Sequence, residues 1–258
     1  MWRILFIFAF IAACESCRVI EQKANGIEVP RSMHTSQVLL EIFVTYDQKY
    51  LASGVLISPD FVLSTSRSLF GYLFINVHVY AYKLRDVFED EREIYRSTNV
   101  TFHPDYDGNN FLNDVALIRL PVTLDVGNRP YSLATLPEAS DLLLTGTEGK
   151  LVGWGMLDYK DDNAAEFKHE QTMTVLSDEY CRQAYPGKWN EMSTYEGRVC
   201  IVKPFGKNCV SDVGSPFFID GVLYGLQSFG QNEACDEAYP NGIQEIRHHR
   251  DWILSNIA

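Results

Sequence analysis

Between Cys17 and Cys181 the chain contains no cysteine, so no disulfide can form within that stretch. Basic residues are scarce as well: 22 Lys and Arg against 34 Asp and Glu leave a formal charge of -12. A surface this acidic repels polyanions, which argues against nucleic acid, heparin-like polymers or anionic membrane as partners. It favours solubility and basic partners, and names none of them. After residue 13 no apolar run reaches the roughly 20 residues that a membrane-spanning helix needs. There is no internal repeat and no low-complexity stretch. What remains is one globular domain of the larger kind: 258 residues, 46% of them hydrophobic, can bury a sizeable core.

The N-terminus sets the compartment. Arg3 precedes an apolar run from Ile4 to Ala13, and Cys14, Glu15 and Ser16 follow. This is the layout of a secretory signal peptide over residues 1–16, leaving 17–258 as the mature chain, secreted and extracellular. Ile11-Ala12-Ala13-Cys14 also has the form of a bacterial lipoprotein cleavage box. Apart from Cys14 and Cys17, the cysteines are Cys181, Cys200, Cys209 and Cys235, all in the last third. In an exported chain four such residues imply two local disulfides, and the sequence alone allows three pairings. Asn99-Val100-Thr101 is a glycosylation sequon and marks exposed surface at Asn99.

Short β-like runs dominate: Val38 to Tyr46, Gly54 to Ser58, Phe61 to Ser64, Phe74 to Tyr82, Val115 to Leu120, Lys150 to Trp154 and Val222 to Phe229. Turn residues separate them at fairly regular intervals, the signature of an all-β barrel or sandwich. A helical pattern runs from His248 to Ile257, and a shorter helix is expected at Ser177 to Tyr185, with Ser177 as its cap. Asp86 to Arg96, Pro104 to Asn113 and Asp158 to Glu170 are polar enough to be surface loops.

Several short motifs occur in a telling order: Ala52-Ser53-Gly54-Val55-Leu56-Ile57, Phe61-Val62-Leu63-Ser64-Thr65-Ser66-Arg67-Ser68, Asn113-Asp114-Val115-Ala116-Leu117-Ile118, Gly153-Trp154-Gly155, Cys209-Val210-Ser211-Asp212-Val213-Gly214-Ser215-Pro216, Ser228-Phe229-Gly230 and the terminal Trp252-Ile253. Together they resemble the trypsin-like serine proteases over roughly residues 25 to 258. The resemblance implies an all-β fold of two six-stranded antiparallel barrels with a cleft between them and a C-terminal helix. It also implies a catalytic Ser, His and Asp, of which only Asp114 is present: Val213 stands at the Ser position and Arg67 at the His position. Valine has no lone pair to attack a carbonyl, and arginine stays protonated and cannot accept a proton.

Other departures point the same way. Ser211 falls where the family carries an oxyanion-hole glycine, and Lys207 falls at the base of the specificity pocket, where trypsin carries Asp. Ser228 and Gly230 fall in the pocket wall. Lys23-Ala24-Asn25-Gly26 is a poor match to the family's activation sequence. The resemblance pairs Cys181 with Cys200 and Cys209 with Cys235. A third family bridge is lost at both ends, as Ala52 and Ser68, which should lie close together. Asp114 reads as structural, partnered by Ser228 and by an ion pair with Arg67. The acidic run Glu89-Asp90-Glu91, with Glu93, falls near the family's calcium loop and reads as a solvated charged loop.

The expectation is a secreted serine protease homologue without catalysis that binds a protease, inhibitor or other extracellular protein, with no cofactor and no metal. An active serine-type endopeptidase with atypical machinery and a passive structural or adhesive secreted protein are the alternatives.

Overall fold

A computed structural model of the chain describes residues 26–155, 165–185, 197–204, 213–230 and 240–258. In chain order its elements are β1 (Ile27–Glu28), β2 (Gln37–Phe43), β3 (Lys49–Ser58), β4 (Phe61–Ser64), the single turn α1 (Ser66–Leu69), β5 (Phe74–Val79), β6 (Glu93–Ser97), β7 (Asn99–Phe102), β8 (Ala116–Arg119), β9 (Glu148–Gly153), β10 (His169–Val175), α2 (Asp178–Ala184), β11 (Arg198–Val202), β12 (Pro216–Ile219), β13 (Val222–Phe229), β14 (Asn241–Glu245) and α3 (Ile246–Ile257). Residues 1–25, which include the expected signal peptide, Cys14 and Cys17, lie outside the described residues. No helix among the described residues is long and apolar enough to cross a membrane.

The strands form two antiparallel sheets. One has the order β6-β5-β2-β3-β4-β8-β7. Only Thr98 separates β6 from β7, so the two are one bent strand and the sheet closes into a six-stranded barrel. The other has the order β1-β10-β11-β14-β13-β12-β9, and β9 pairs with β10 as well. That closes a second six-stranded barrel, with the two-residue β1 added outside β10. Closure leaves no long free edge to recruit foreign strands. The expected architecture of two barrels and a terminal helix is the observed one.

Alternation along the strands places the core. Val38, Leu40 and Ile42 of β2 fill the first barrel, while Leu39 between them packs with Trp154 of the second. Both faces of β2 are thus buried, which is why Val38 to Leu40 reads as an unbroken apolar run. A further cluster joins the barrels. Val55, Leu63, Val115 and Leu117 pack on Val152, Phe218, Leu223 and Leu226, with Ile246 and Ile253 of α3 against them. Full burial of each such side chain is worth about 1.5–3 kcal/mol, so this cluster ties the two barrels together. Ser177 caps α2 as expected, its Oγ accepting the Tyr180 N–H at 3.3 Å.

Strands β1, β6, β7, β10, β11, β12 and β14 had no counterpart among the expected runs. Glu93–Ser97 reads Glu-Ile-Tyr-Arg-Ser, without alternation, and all but Ser97 fell within the expected loop Asp86 to Arg96, yet it pairs with β5 along its whole length. His169–Val175 is mostly polar and is held by β9 over six register positions, from His169↔Gly153 to Thr174↔Glu148.

Candidate functional site

Two elements of the first barrel and one of the second meet around Asp114, which immediately precedes Val115 and β8. Its side chain is fully buried. Oδ1 accepts the backbone N–H of Arg67 in α1 at 2.7 Å, and Oδ2 accepts the Ser228 hydroxyl of β13 at 2.6 Å. Burial pushes the carboxyl up to about 6, against the lowering pull of the Ser228 hydroxyl, the Arg67 N–H, the Arg67 charge and the Ser66 N–H. Desolvation therefore outweighs every donor that the site provides.

The ion pair expected between Arg67 and Asp114 does not form. The Arg67 guanidinium turns away, and its Nη1 donates to the Ser228 carbonyl at 2.6 Å. Its Cζ lies 5.7 Å from the centroid of the Phe111 ring. The physical reason is burial: Asp114 is enclosed, whereas Arg67 is exposed, and a guanidinium that stays at the surface keeps its hydration. The carboxylate is met instead by neutral donors, which bring no second charge to desolvate.

Val213 reaches this neighbourhood through the junction. Its carbonyl accepts the Ser53 N–H of β3 at 2.9 Å. The next residue, Gly214, has φ +86, and a Cβ there would stand 2.0 Å from the Ser53 carbonyl oxygen. Only glycine fits so close to another backbone. The Ser53 carbonyl also accepts the Ser64 hydroxyl at 2.7 Å, and Ser64 Oγ lies 3.4 Å from Ser68 Oγ, one residue beyond Arg67. Tyr50 donates to the Ser68 carbonyl at 2.6 Å. Residues on either side of Ala52 therefore link β3 to the Ser68 turn by hydroxyl hydrogen bonds.

Cys181 and Cys200 are joined in a disulfide. Cys209, Cys235, Lys207 and Ser211 lie outside the described residues, while Gly230 is half-buried directly after β13. Asn99 is exposed at the start of β7.

All six histidines of the chain are among the described residues, and each is engaged away from Asp114. His34 contacts Glu170 at 2.8 Å. His78 accepts from Arg92 through Nδ1 and lies 3.1 Å from Glu41 through Nε2. His169 contacts the Phe167 carbonyl. His103, His248 and His249 form a ring cluster with Trp252 at α3. Burial first, and then the electrostatic influence of His248 and His103, pushes His249 down to about 3. The carboxylate therefore has no imidazole to orient. Ser215, two residues beyond Val213, is fully buried, and its Oγ has no hydrogen-bond partner among the described residues. Among the described residues no base contacts this hydroxyl, and its burial closes it to solvent.

Two features escaped the sequence. Phe111, at the end of the presumed surface loop Pro104 to Asn113, has φ +57 and stacks on Phe229 at 4.8 Å. Gln244 Nε2 and Arg198 Nη1 donate to the carbonyls of Phe111 and Asn110, which fixes the loop against the second barrel. A lone aromatic in a polar stretch was the available signal. The acidic run is only in part the solvated loop expected: Asp90 and Glu91 are exposed, but Glu89 is not. Glu89 is buried, accepts the N–H groups of Tyr82 and Lys83, and pairs with Arg31 at 3.8 Å and Arg92 at 3.6 Å. Among the described residues no three His, Cys, Asp or Glu side chains are grouped so as to hold a metal ion.

A family model described as Trypsin matches residues 25–253. Brachyurin from Leptuca pugilator is 29% identical over 232 residues, which span 89% of this chain and 96% of that protein. Trypsin II-P29 from Gallus gallus is 29% identical over 213 residues, or 81% of this chain and 80% of its own length. The solved structure of neuropsin, a serine protease expressed in the limbic system of mouse brain, superposes with a TM-score of 0.76 at 22% identity, covering 90% of this chain and 99% of that one. That last likeness concerns the fold.

Proposed function

Because the chain belongs to the trypsin family, we propose that it is a non-catalytic member: a secreted scaffold that binds an extracellular protein and cleaves no peptide bond. One observation carries the reading. The Asp114 carboxylate is satisfied by the Arg67 backbone N–H and the Ser228 hydroxyl, while all six histidines are committed elsewhere. Hydrolysis by this fold needs a base that takes the proton of a serine hydroxyl, and the carboxylate acts only through that base. Arg67, with no free lone pair, cannot take that role, and Val213 offers no hydroxyl.

What remains is a rigid pair of barrels with an acidic surface. Such a surface favours a partner with basic groups, because charge complementarity speeds encounter and suppresses wrong pairings. The apolar N-terminal run after Arg3 supports export. An endopeptidase with altered machinery would need Ser215 or another hydroxyl brought next to a base, and no contact among the described residues of the site favours that.

The test uses the mature secreted protein with a broad mixture of peptide substrates. The expected result is no turnover above a heat-denatured control. Saturable hydrolysis that follows the folded protein through chromatography would overturn the proposal.

A further inference from the structure

At the opposite end of β8 from Asp114 lies a cleft of about 440 Å³, where the β6–β7 bend faces the chain leaving β8. Its lining includes Asp60, Arg96, Ser97, Asn99, Arg119 and Thr123. Its size falls within the roughly 300–1,000 Å³ typical of small-molecule sites.

The charge in this cleft runs against that of the molecule. On a chain with formal charge -12, two guanidinium-bearing residues share one cavity, and among the described residues neither is paired with a carboxylate. Arg119 lies over the Phe61 ring at 5.8 Å, and Arg96 lies over Phe74 at 4.1 Å with its Nε donating to Asn76. Such stacking holds the side chain while leaving donors of the planar fork unused.

The walls are fixed before any ligand arrives. Ser97 Oγ donates to the Arg119 carbonyl at 2.6 Å and accepts the Asn99 N–H at 3.1 Å. Tyr72 donates to the Thr98 carbonyl at 3.0 Å, and the Leu120 N–H donates to the Asp60 carbonyl at 2.8 Å. A site held in this way loses little entropy on binding.

We propose that this cleft binds a short acidic sugar, one or two residues long, carrying a carboxylate or sulfate. The arginine fork matches the paired oxygens of either anion. Asp60 accepts the Ser58 hydroxyl through Oδ1, and its other oxygen, with the Thr123 side chain, suits the hydroxyls of a sugar ring. The same carboxylate and the overall negative charge oppose a long polyanion, so the ligand is short. Its source is either the chain's own glycan at Asn99, on the rim, or a sugar presented from outside.

The test is calorimetric titration of the full mature chain, with and without Asn99→Gln, using glucuronic acid, glucose 6-sulfate and neutral glucose at low salt. At least one charged sugar is expected to bind saturably and glucose not to bind. Arg119→Gln should weaken binding by about tenfold or more, and Arg119→Lys should weaken it too, since a lysine keeps the charge but loses the fork. If Arg119→Gln does not fold by circular dichroism, the lysine variant decides. Binding only after Asn99→Gln assigns the cleft to the chain's own glycan; binding in both forms assigns it to an outside sugar. Absence of saturable binding by either charged sugar in both forms, or an affinity unmoved by the Arg119 variants, would overturn the proposal.

Discussion

Replacing Asp114 by asparagine probes how the buried carboxylate is held. An isolated aspartate titrates near 3.8, and burial pushes Asp114 up to about 6. The shift of about two units corresponds to about 3 kcal/mol at about 1.4 kcal/mol per unit. The sign follows from proton counting. Between the two values the native state holds more protons than the unfolded chain, so stability falls as the pH rises from about 4 to about 6. Above that window the full cost is present; below it there is none. Asparagine removes the charge. Its carbonyl can still accept the Arg67 N–H, and its amide can donate to Ser228 once that hydroxyl rotates. Urea unfolding of both proteins at pH 4 and pH 7.5 is the assay. Asp114→Asn should be near neutral at the lower pH and more stable than wild type by about 1–3 kcal/mol at the higher, with an unchanged m-value. Had the site been a buried ion pair, the same change would cost about 3–5 kcal/mol at neutral pH. A loss of that size, or a difference that does not move with pH, refutes the reasoning.

Arg67→Ala removes one hydrogen bond to the Ser228 carbonyl and the contact with Phe111, while the backbone bond to Asp114 survives. Its cost in urea unfolding should be about 1 kcal/mol. Lys168 is buried over the Trp154 ring and donates to the His34 carbonyl, and burial pushes it down to about 7. The cost of its charge is complete below that pH and is relieved as the pH rises toward 10.5, so Lys168→Met should raise the melting temperature more at pH 6 than at pH 9. Replacing Cys181 and Cys200 by serine opens a link across a separation of 19 residues and should cost about 2–4 kcal/mol by the same unfolding assay.

The barrels were legible because their inward strands carry apolar side chains in runs. Phe61–Ser64 and Val222–Phe229 match their expected bounds residue for residue. Polar strands such as His169–Val175 were not legible, since their pairing is dictated by neighbours that propensity does not see. At the site, motif order located Arg67, Asp114 and Ser228 in one place. Direction was lost. Nothing in the residue types says that the Arg67 guanidinium bonds a carbonyl while its backbone serves the carboxylate. The same holds for Glu89: an acidic run reads as solvated until the fold brings Arg31 and Arg92 around it.

The central claim is the absence of a working nucleophile, and an active-site serine probe addresses it most directly. Folded mature protein incubated with a fluorophosphonate and analysed by intact mass should gain no adduct, under conditions that fully label active trypsin. Stoichiometric labelling that is lost on denaturation and maps to Ser215, Ser228 or any other hydroxyl at the barrel junction would contradict the account.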